Sequence, residues 1–229
     1  MIEERLFSEE ELEALGTRTD ELILKAIDEG DTKKAKKLVR RMYGELMAMH
    51  DLEVTMVTAA LSFIGRRFGD KTLHEALHEM LSSWVREAAR DYAKVEDPRR
   101  RAQMLAYGLK GHGQRLKIEE DAEKFIFTME PCGSGGKLVR EGSYEPPRNF
   151  HRVKKPQLMT YGKLDYPVYC AHCIFHEIVG IEETGVPLFI LIPPDSPGKE
   201  PCRMLLYKDP KAIPDEYYER VGKQKPTWE

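Results

Sequence analysis

The chain has 229 residues, of which 41% are hydrophobic and 33% are charged, a composition that fits a globular protein and excludes an intrinsically disordered one. The formal net charge of −3 gives no electrostatic reason to expect binding to nucleic acid or to an anionic membrane. Two basic clusters, residues 33–37 and 99–101, are interpreted as solvated helix faces or helix ends rather than phosphate-binding sites.

The start of the chain and its hydropathy predict the cellular location. Residues 1–5 lack the apolar stretch of a signal peptide. No apolar run comes near the roughly 20 residues that a membrane helix needs. We therefore expect a cytoplasmic protein without membrane contact, in which the cysteines stay reduced and metal or redox chemistry is favoured over disulfides.

The first half of the chain has the pattern of helices. Ser8 before three glutamates predicts one helix start, and Asp31 predicts the next. A long helical pattern over residues 33–68 ends at Gly69, and two shorter helical patterns follow before residue 112. Residues 46–64 are apolar on most sides, which predicts either burial or a homodimer through this helix.

The second half changes to the two-residue period of strands. Apolar and charged residues alternate over residues 116–118 and 125–129, with a polar stretch between them that predicts a hairpin. Residues 186–192 and 203–207 are predicted as further strands, and residues 141–156, with three prolines, as a surface loop. The prediction is an α+β protein: a helical region over 1–114 packed on a small, mostly antiparallel sheet with a cysteine metal site within 115–229, as one compact unit.

All four cysteines lie in the second half of the chain. Cys170 and Cys173 form a CxxC turn, Cys132 precedes a Gly-Ser-Gly-Gly sequence, and Cys202 opens a strand. Thiolates on short, glycine- or proline-rich connections are the ligands of tetrahedral zinc, so zinc is the predicted cofactor. Two alternatives stay open, unpaired buried thiols and a redox-active dithiol. It also stays open whether Cys202 or a histidine completes the site.

Two further patterns are weighed and set aside. The CxxC turn resembles a thioredoxin-family active site, but only 13 residues separate Cys173 from Pro187, whereas a helix and a crossover to the next strand need roughly 30. His74 and His78 complete an HExxH pattern on a helix whose neighbouring face is leucine-rich. No third ligand follows at a suitable distance, so this pattern is predicted not to bind the metal.

Candidate catalytic and binding groups surround the cysteines in the sequence. His112, between two glycines, and His176 are the predicted general bases, with Glu177 as an acid/base partner. Three arginines near the glycine-rich loop are predicted to bind a substrate carboxylate: Arg140, Arg148 and Arg152.

The four cysteines and the order of the elements, over about the last half of the chain, resemble two groups of proteins. One is the L-2-amino-thiazoline-4-carboxylate hydrolase-like proteins, which implies a small enzyme with functional cysteines. The other is the vinyl-reductase-type domains, which implies a small-molecule binding module with a cysteine-rich zinc site. No catalytic residue is carried over from either group.

The predicted function is zinc-dependent hydrolysis or lyase chemistry on a small organic molecule that bears a carboxylate. Three thiolates would hold the metal and a bound water would be activated at the fourth position. The alternative is a ligand-sensing or adapter module in which the zinc is purely structural. A fourth protein ligand on the metal would distinguish the module from the enzyme.

Overall fold

A computed structural model describes residues 6–228. The chain divides into two compact units, Met1–Leu52 and Glu53–Glu229. This division falls inside the helical half, whereas the boundary predicted at residues 114 and 115 marks where helices give way to strands.

The first unit is helical. It contains α1 (Glu9–Gly16), α2 (Thr19–Asp28) and the start of α3 (Thr32–Ala93). Ser8 caps α1 through a capping box, and the Asp31 carboxylate accepts the Lys34 N–H, so both predicted helix starts are confirmed. A small core of apolar side chains joins α2 to α3: Ile23, Ala26, Ala35 and Leu38.

In the second unit, α3 continues to Ala93 and contains a kink. Gly69 has φ of +81°, which breaks the helical geometry at the predicted position because glycine enters this backbone region without a Cβ clash. The leucine-rich face after the kink, with Leu73, Leu77 and Leu81, is fully buried. Asp97 caps α4 (Pro98–Lys110), which leads into the sheet.

The main sheet has four strands: β1 (Leu116–Glu120), β2 (Lys124–Met129), β5 (Ile190–Ile192) and β6 (Arg203–Tyr207). Their order is β1-β2-β6-β5, and every pairing is antiparallel. The Asp121 carboxylate accepts two backbone N–H bonds in the turn between β1 and β2, which confirms the predicted hairpin. The α+β class is therefore confirmed.

Shorter elements cover this sheet. They are α5 (Gly135–Arg140), the two-stranded pair β3 (Arg152–Val153) and β4 (Tyr166–Pro167), a 3-10 helix over Val168–His172, α6 (Cys173–Thr184) and α7 (Asp215–Glu219). The most buried of them is α6, whose residues 174–181 are all buried and join one apolar core with the sheet and the second part of α3.

The expectation that no apolar run is long enough for a membrane helix is wrong: by length and composition α3 is apolar enough to cross a membrane, and 28% of its most apolar window is buried. Core helices of soluble proteins meet the same criterion. Cytoplasmic location and the absence of membrane contact therefore stay predictions.

A candidate thiol centre

The topology brings the four cysteines toward one end of the sheet. Cys132 lies three residues beyond the end of β2, and Cys202 directly precedes β6, the strand that pairs with β2. The Cys202 carbonyl accepts the Met129 N–H at 3.0 Å, so the two strand ends are held together. Cys170 and Cys173 are positioned by the 3-10 helix and the first turn of α6.

The glycine-rich turn after Cys132 lies between two of the sulfur atoms. The Cys132 Sγ accepts the Gly136 N–H at 3.4 Å. A Cβ added to Gly135 would lie 2.7 Å from the Cys170 Sγ, closer than van der Waals contact permits. Two thiols from separate segments therefore approach adjacent glycines, and this approach requires the absence of a side chain at residue 135.

All four cysteines are free thiols and each lies within electrostatic range of the others. Burial raises the pKa of Cys170, Cys173 and Cys202, to about 12 for Cys202, and charge on the neighbouring thiols adds to this rise. Disulfide exchange and zinc binding both use the thiolate form, so these raised pKa values do not distinguish the two alternatives.

The thiols are not arranged as a ready ligand set. Within residues 6–228, no group of three or more His, Cys, Asp or Glu side chains has a geometry that would hold a metal ion. The metal-site part of the predicted fold class is therefore not seen in the described structure, and zinc stays a proposal.

Three histidines lie near the thiols. The His172 Nε2 is 3.7 Å from the Cys173 Sγ, and its ring centre is 5.5 Å from that of His176. Burial lowers the pKa of His172 to about 4 and that of His176 to about 3, so both imidazoles are neutral at pH 7. His112 lies within electrostatic range of both and its Nδ1 is 3.0 Å from the Ser134 Oγ.

Glu177 faces a different environment from His176. Its side chain is fully buried, accepts the Leu191 N–H at 2.9 Å and pairs with an Arg220 Nη2 at 2.6 Å. The hydroxyl of Tyr161, within electrostatic range of Glu177 and Cys173, is buried and has no hydrogen-bond partner among the described residues. The predicted His176 and Glu177 acid/base pair is thus divided between two environments.

The three predicted carboxylate-binding arginines contact different parts of the protein. Arg140 donates to the Cys132 and Gly198 carbonyls, which ties the cysteine loop to a turn near residue 198. Arg148 donates to the Ser143 hydroxyl. Arg152 lies over the Tyr144 ring and donates to the Asp165 carbonyl. These contacts hold loops together, and binding of a substrate carboxylate by these arginines stays a prediction.

The HExxH histidines lie beside α6 rather than beside the thiols. The His78 Nε2 is 2.8 Å from a Glu182 carboxylate oxygen, and the rings of His74 and His78 both contact the edge or face of Phe175. These contacts give both histidines a packing role.

Several residues of this region were not predicted from the sequence: His172, Ser134, Tyr161 and Arg220. His172 lies between the two cysteines of the CxxC turn, and this position is a sequence signal that could have identified it as a site residue. No pattern in the sequence identifies Arg220 and Tyr161 as site residues, because their partners are distant in the chain.

Comparison with family models, curated proteins and solved structures found no match to this chain.

Proposed function

We propose that the four cysteines together bind one zinc ion and that this zinc fixes the structure of a small-molecule-binding module. The observation that supports this proposal best is the convergence of Cys132 and Cys170 on one glycine turn, with Cys173 and Cys202 in electrostatic range of both. Four thiolate ligands close the coordination sphere, as in structural zinc sites.

Zinc would supply the attraction that the free thiols lack. Four neighbouring thiols gain nothing from approaching one another, whereas four thiolates around Zn²⁺ lie about 2.3 Å from one centre. Metal binding would therefore draw the sulfur atoms inward and stabilise the second unit, because the binding free energy adds to the folding free energy.

Elemental analysis of the purified chain tests this proposal. We expect about one zinc per chain, and loss of that zinc in Cys173→Ser and in Cys202→Ser, each with a melting temperature lowered by many degrees. The matched control is the double variant His74→Ala, His78→Ala, which should keep its zinc. A Cys202→Ser variant that retains zinc would assign the fourth ligand to a histidine, and a metal-free parent would contradict the proposal.

A zinc-dependent hydrolase or lyase is the second candidate. It is favoured by the Ser134 and His112 side chains, which contact each other beside the glycine turn and offer a proton-transfer pair next to the thiols. In this candidate one thiol is not a ligand and a water occupies the fourth position.

Cobalt substitution separates the two candidates. Thiolate-to-cobalt absorption is expected in both, but only an open coordination position lets added azide shift the bands. We expect no shift, as for a four-thiolate site. A shift that saturates with azide and persists in His78→Ala would favour the enzyme, and His112→Ala should then leave the metal bound while it removes turnover.

A further inference from the structure

A cavity lies near the end of α6 that is opposite to the thiols. It has a volume of about 470 Å³, within the range of pockets that hold small organic ligands. Its walls come from the end of α3, from the segment before β5 and from β6. Most of the lining is apolar and includes Val186, Pro187, Phe189, Leu206, Ile213 and Trp228.

One cation in this lining has few partners. The Arg101 guanidinium donates from Nη2 to the Lys208 carbonyl at 2.5 Å, and this is its only hydrogen bond within the described residues. Its Nε is buried and has no acceptor there. Arg101 forms no ion pair with a described carboxylate, although Asp97 and Asp209 act on it electrostatically.

The two nearby carboxylates are engaged elsewhere. One oxygen of Asp97 caps α4 by accepting the Arg99 N–H, and one oxygen of Asp209 accepts the Lys211 N–H. The lining also contains Glu96, Lys208 and Asp209. With Arg101, its two positive and two negative side chains balance in charge, but neither carboxylate forms an ion pair with the Arg101 guanidinium. Tyr92 lines the same cavity within electrostatic range of Arg101 and adds a hydroxyl that bonds to no described residue.

We infer that this cavity binds a small carboxylic acid with an apolar body, with the carboxylate on Arg101 and the apolar part against Phe189, Leu206 and Ile213. A guanidinium that has no direct carboxylate partner gains from a ligand carboxylate, which accepts a charge-assisted N–H bond. The apolar wall excludes small inorganic anions as the preferred ligand, since these leave the wall exposed to water. This inference deepens the proposed function, because it names the ligand of the module.

Trp228 provides a direct readout, because it lines the cavity and the chain has only one other tryptophan, Trp84. In a Trp84→Phe background, phenylacetate and octanoate should change Trp228 fluorescence in a saturable way. Phenylacetamide and octanamide, which match them in shape and lack the charge, should bind about 10- to 100-fold more weakly.

Arg101→Gln should weaken binding of both acids by about the same factor, whereas Arg100→Gln, at the exposed neighbouring position, should leave it unchanged. If Arg101→Gln does not fold by circular dichroism, the acid and amide comparison in the parent decides. Equal binding of acid and amide, retention of acid binding in folded Arg101→Gln, or no saturable response to either acid would overturn the inference.

Zinc content measured on the same samples separates this test from that of the thiol centre. Acid binding in a chain that carries no zinc would contradict the zinc proposal and leave the cavity assignment standing. A zinc-loaded chain that binds neither acid would contradict the cavity assignment alone.

Discussion

At the scale of single residues, Glu177 has a fully buried carboxylate whose desolvation opposes folding. Two hydrogen bonds, from the Leu191 N–H and from Arg220, compensate for its removal from water. Burial raises the pKa of Glu177 to about 7, and the attraction of Arg220 offsets only part of that rise. The cost of desolvation therefore exceeds the gain from the ion pair, as is common for buried pairs.

Removing the cation should destabilise the protein. Arg220→Gln leaves the Glu177 carboxyl buried without a counter-charge, so the carboxyl takes up a proton, and at pH 8 the loss is about 1–2 kcal/mol of unfolding free energy. Arg41→Gln, which breaks an exposed pair with Glu45, should cost much less, because water screens that pair. Urea unfolding at pH 8, where Glu177 is ionised, measures both. Equal small losses would show that Glu177 is satisfied without Arg220.

Glu177 should also give the stability a defined pH dependence. Its pKa is about 7 in the folded chain and near 4.5 in the unfolded chain, so between these values only the folded state holds the proton. Its contribution to stability is complete below about pH 4.5 and falls by roughly 3 kcal/mol as the pH rises to about 7. Glu177→Gln should lack this loss, so the difference in unfolding free energy between parent and variant should change with pH in this window. A constant difference would contradict the raised pKa.

At the scale of elements, local chemistry predicted the helix starts at Ser8 and Asp31 and the hairpin, but not the break between α1 and α2. Ser8 and Asp31 mark helix starts because each side chain accepts a nearby backbone N–H, and that bond needs no distant partner. Gly69 marks the kink for the same local reason.

Elements that depend on distant contacts were predicted less well. The strand expected over residues 186–192 is limited to Ile190–Ile192, because only these residues pair with β6. The surface loop expected over 141–156 buries Tyr144, Phe150 and Val153, and it contains β3. Its prolines correctly predicted irregular backbone, but they carry no information about which aromatic side chains turn inward.

The glycine turn offers a test of the approach between α5 and the CxxC turn. Gly135→Ala places a Cβ 2.7 Å from the Cys170 Sγ, so the unfolding free energy should fall by about 1–3 kcal/mol. Zinc should be lost to a chelator at lower concentration than from the parent. Gly108→Ala, at an open position in α4, should be neutral or stabilising by up to about 1 kcal/mol. Unchanged stability of Gly135→Ala would show that the turn has room to relax.

At the scale of the whole molecule, the sequence predicted the fold class but only part of the candidate site. The cysteines were found because their spacing is characteristic of metal ligands, and the topology brings all four toward one sheet end. The partners of Glu177 and the cavity around Arg101 were not predictable. They depend on contacts between distant segments, which are 43 residues apart for Glu177 and Arg220 and 107 residues apart for Arg101 and the Lys208 carbonyl.

The exposed side of α3 predicts that two copies of the chain associate. Met56 and Phe63 lie seven residues apart on the part of α3 in the second unit, and they are 62% and 61% exposed. Val54 and Leu61, on the other side of the helix, belong to the core of the second unit, and the Ser62 hydroxyl accepts the His151 N–H. A seven-residue apolar repeat on a free helix face is typical of a helix that pairs with another helix. We therefore expect the second helix to come from another copy of this chain.

Sedimentation equilibrium tests this homodimer. The parent should sediment as a dimer. The double variant Met56→Glu, Phe63→Glu should be monomeric, because dimer formation would desolvate the two introduced carboxylates at the helix–helix interface. Its melting temperature at low concentration should match that of the monomeric parent, since both positions are exposed within one chain. Leu164→Glu, at an exposed apolar residue away from α3, should remain dimeric. A monomeric parent would overturn the homodimer, and flotation of the parent with lipid vesicles, lost in the double variant, would assign this face to a membrane surface instead.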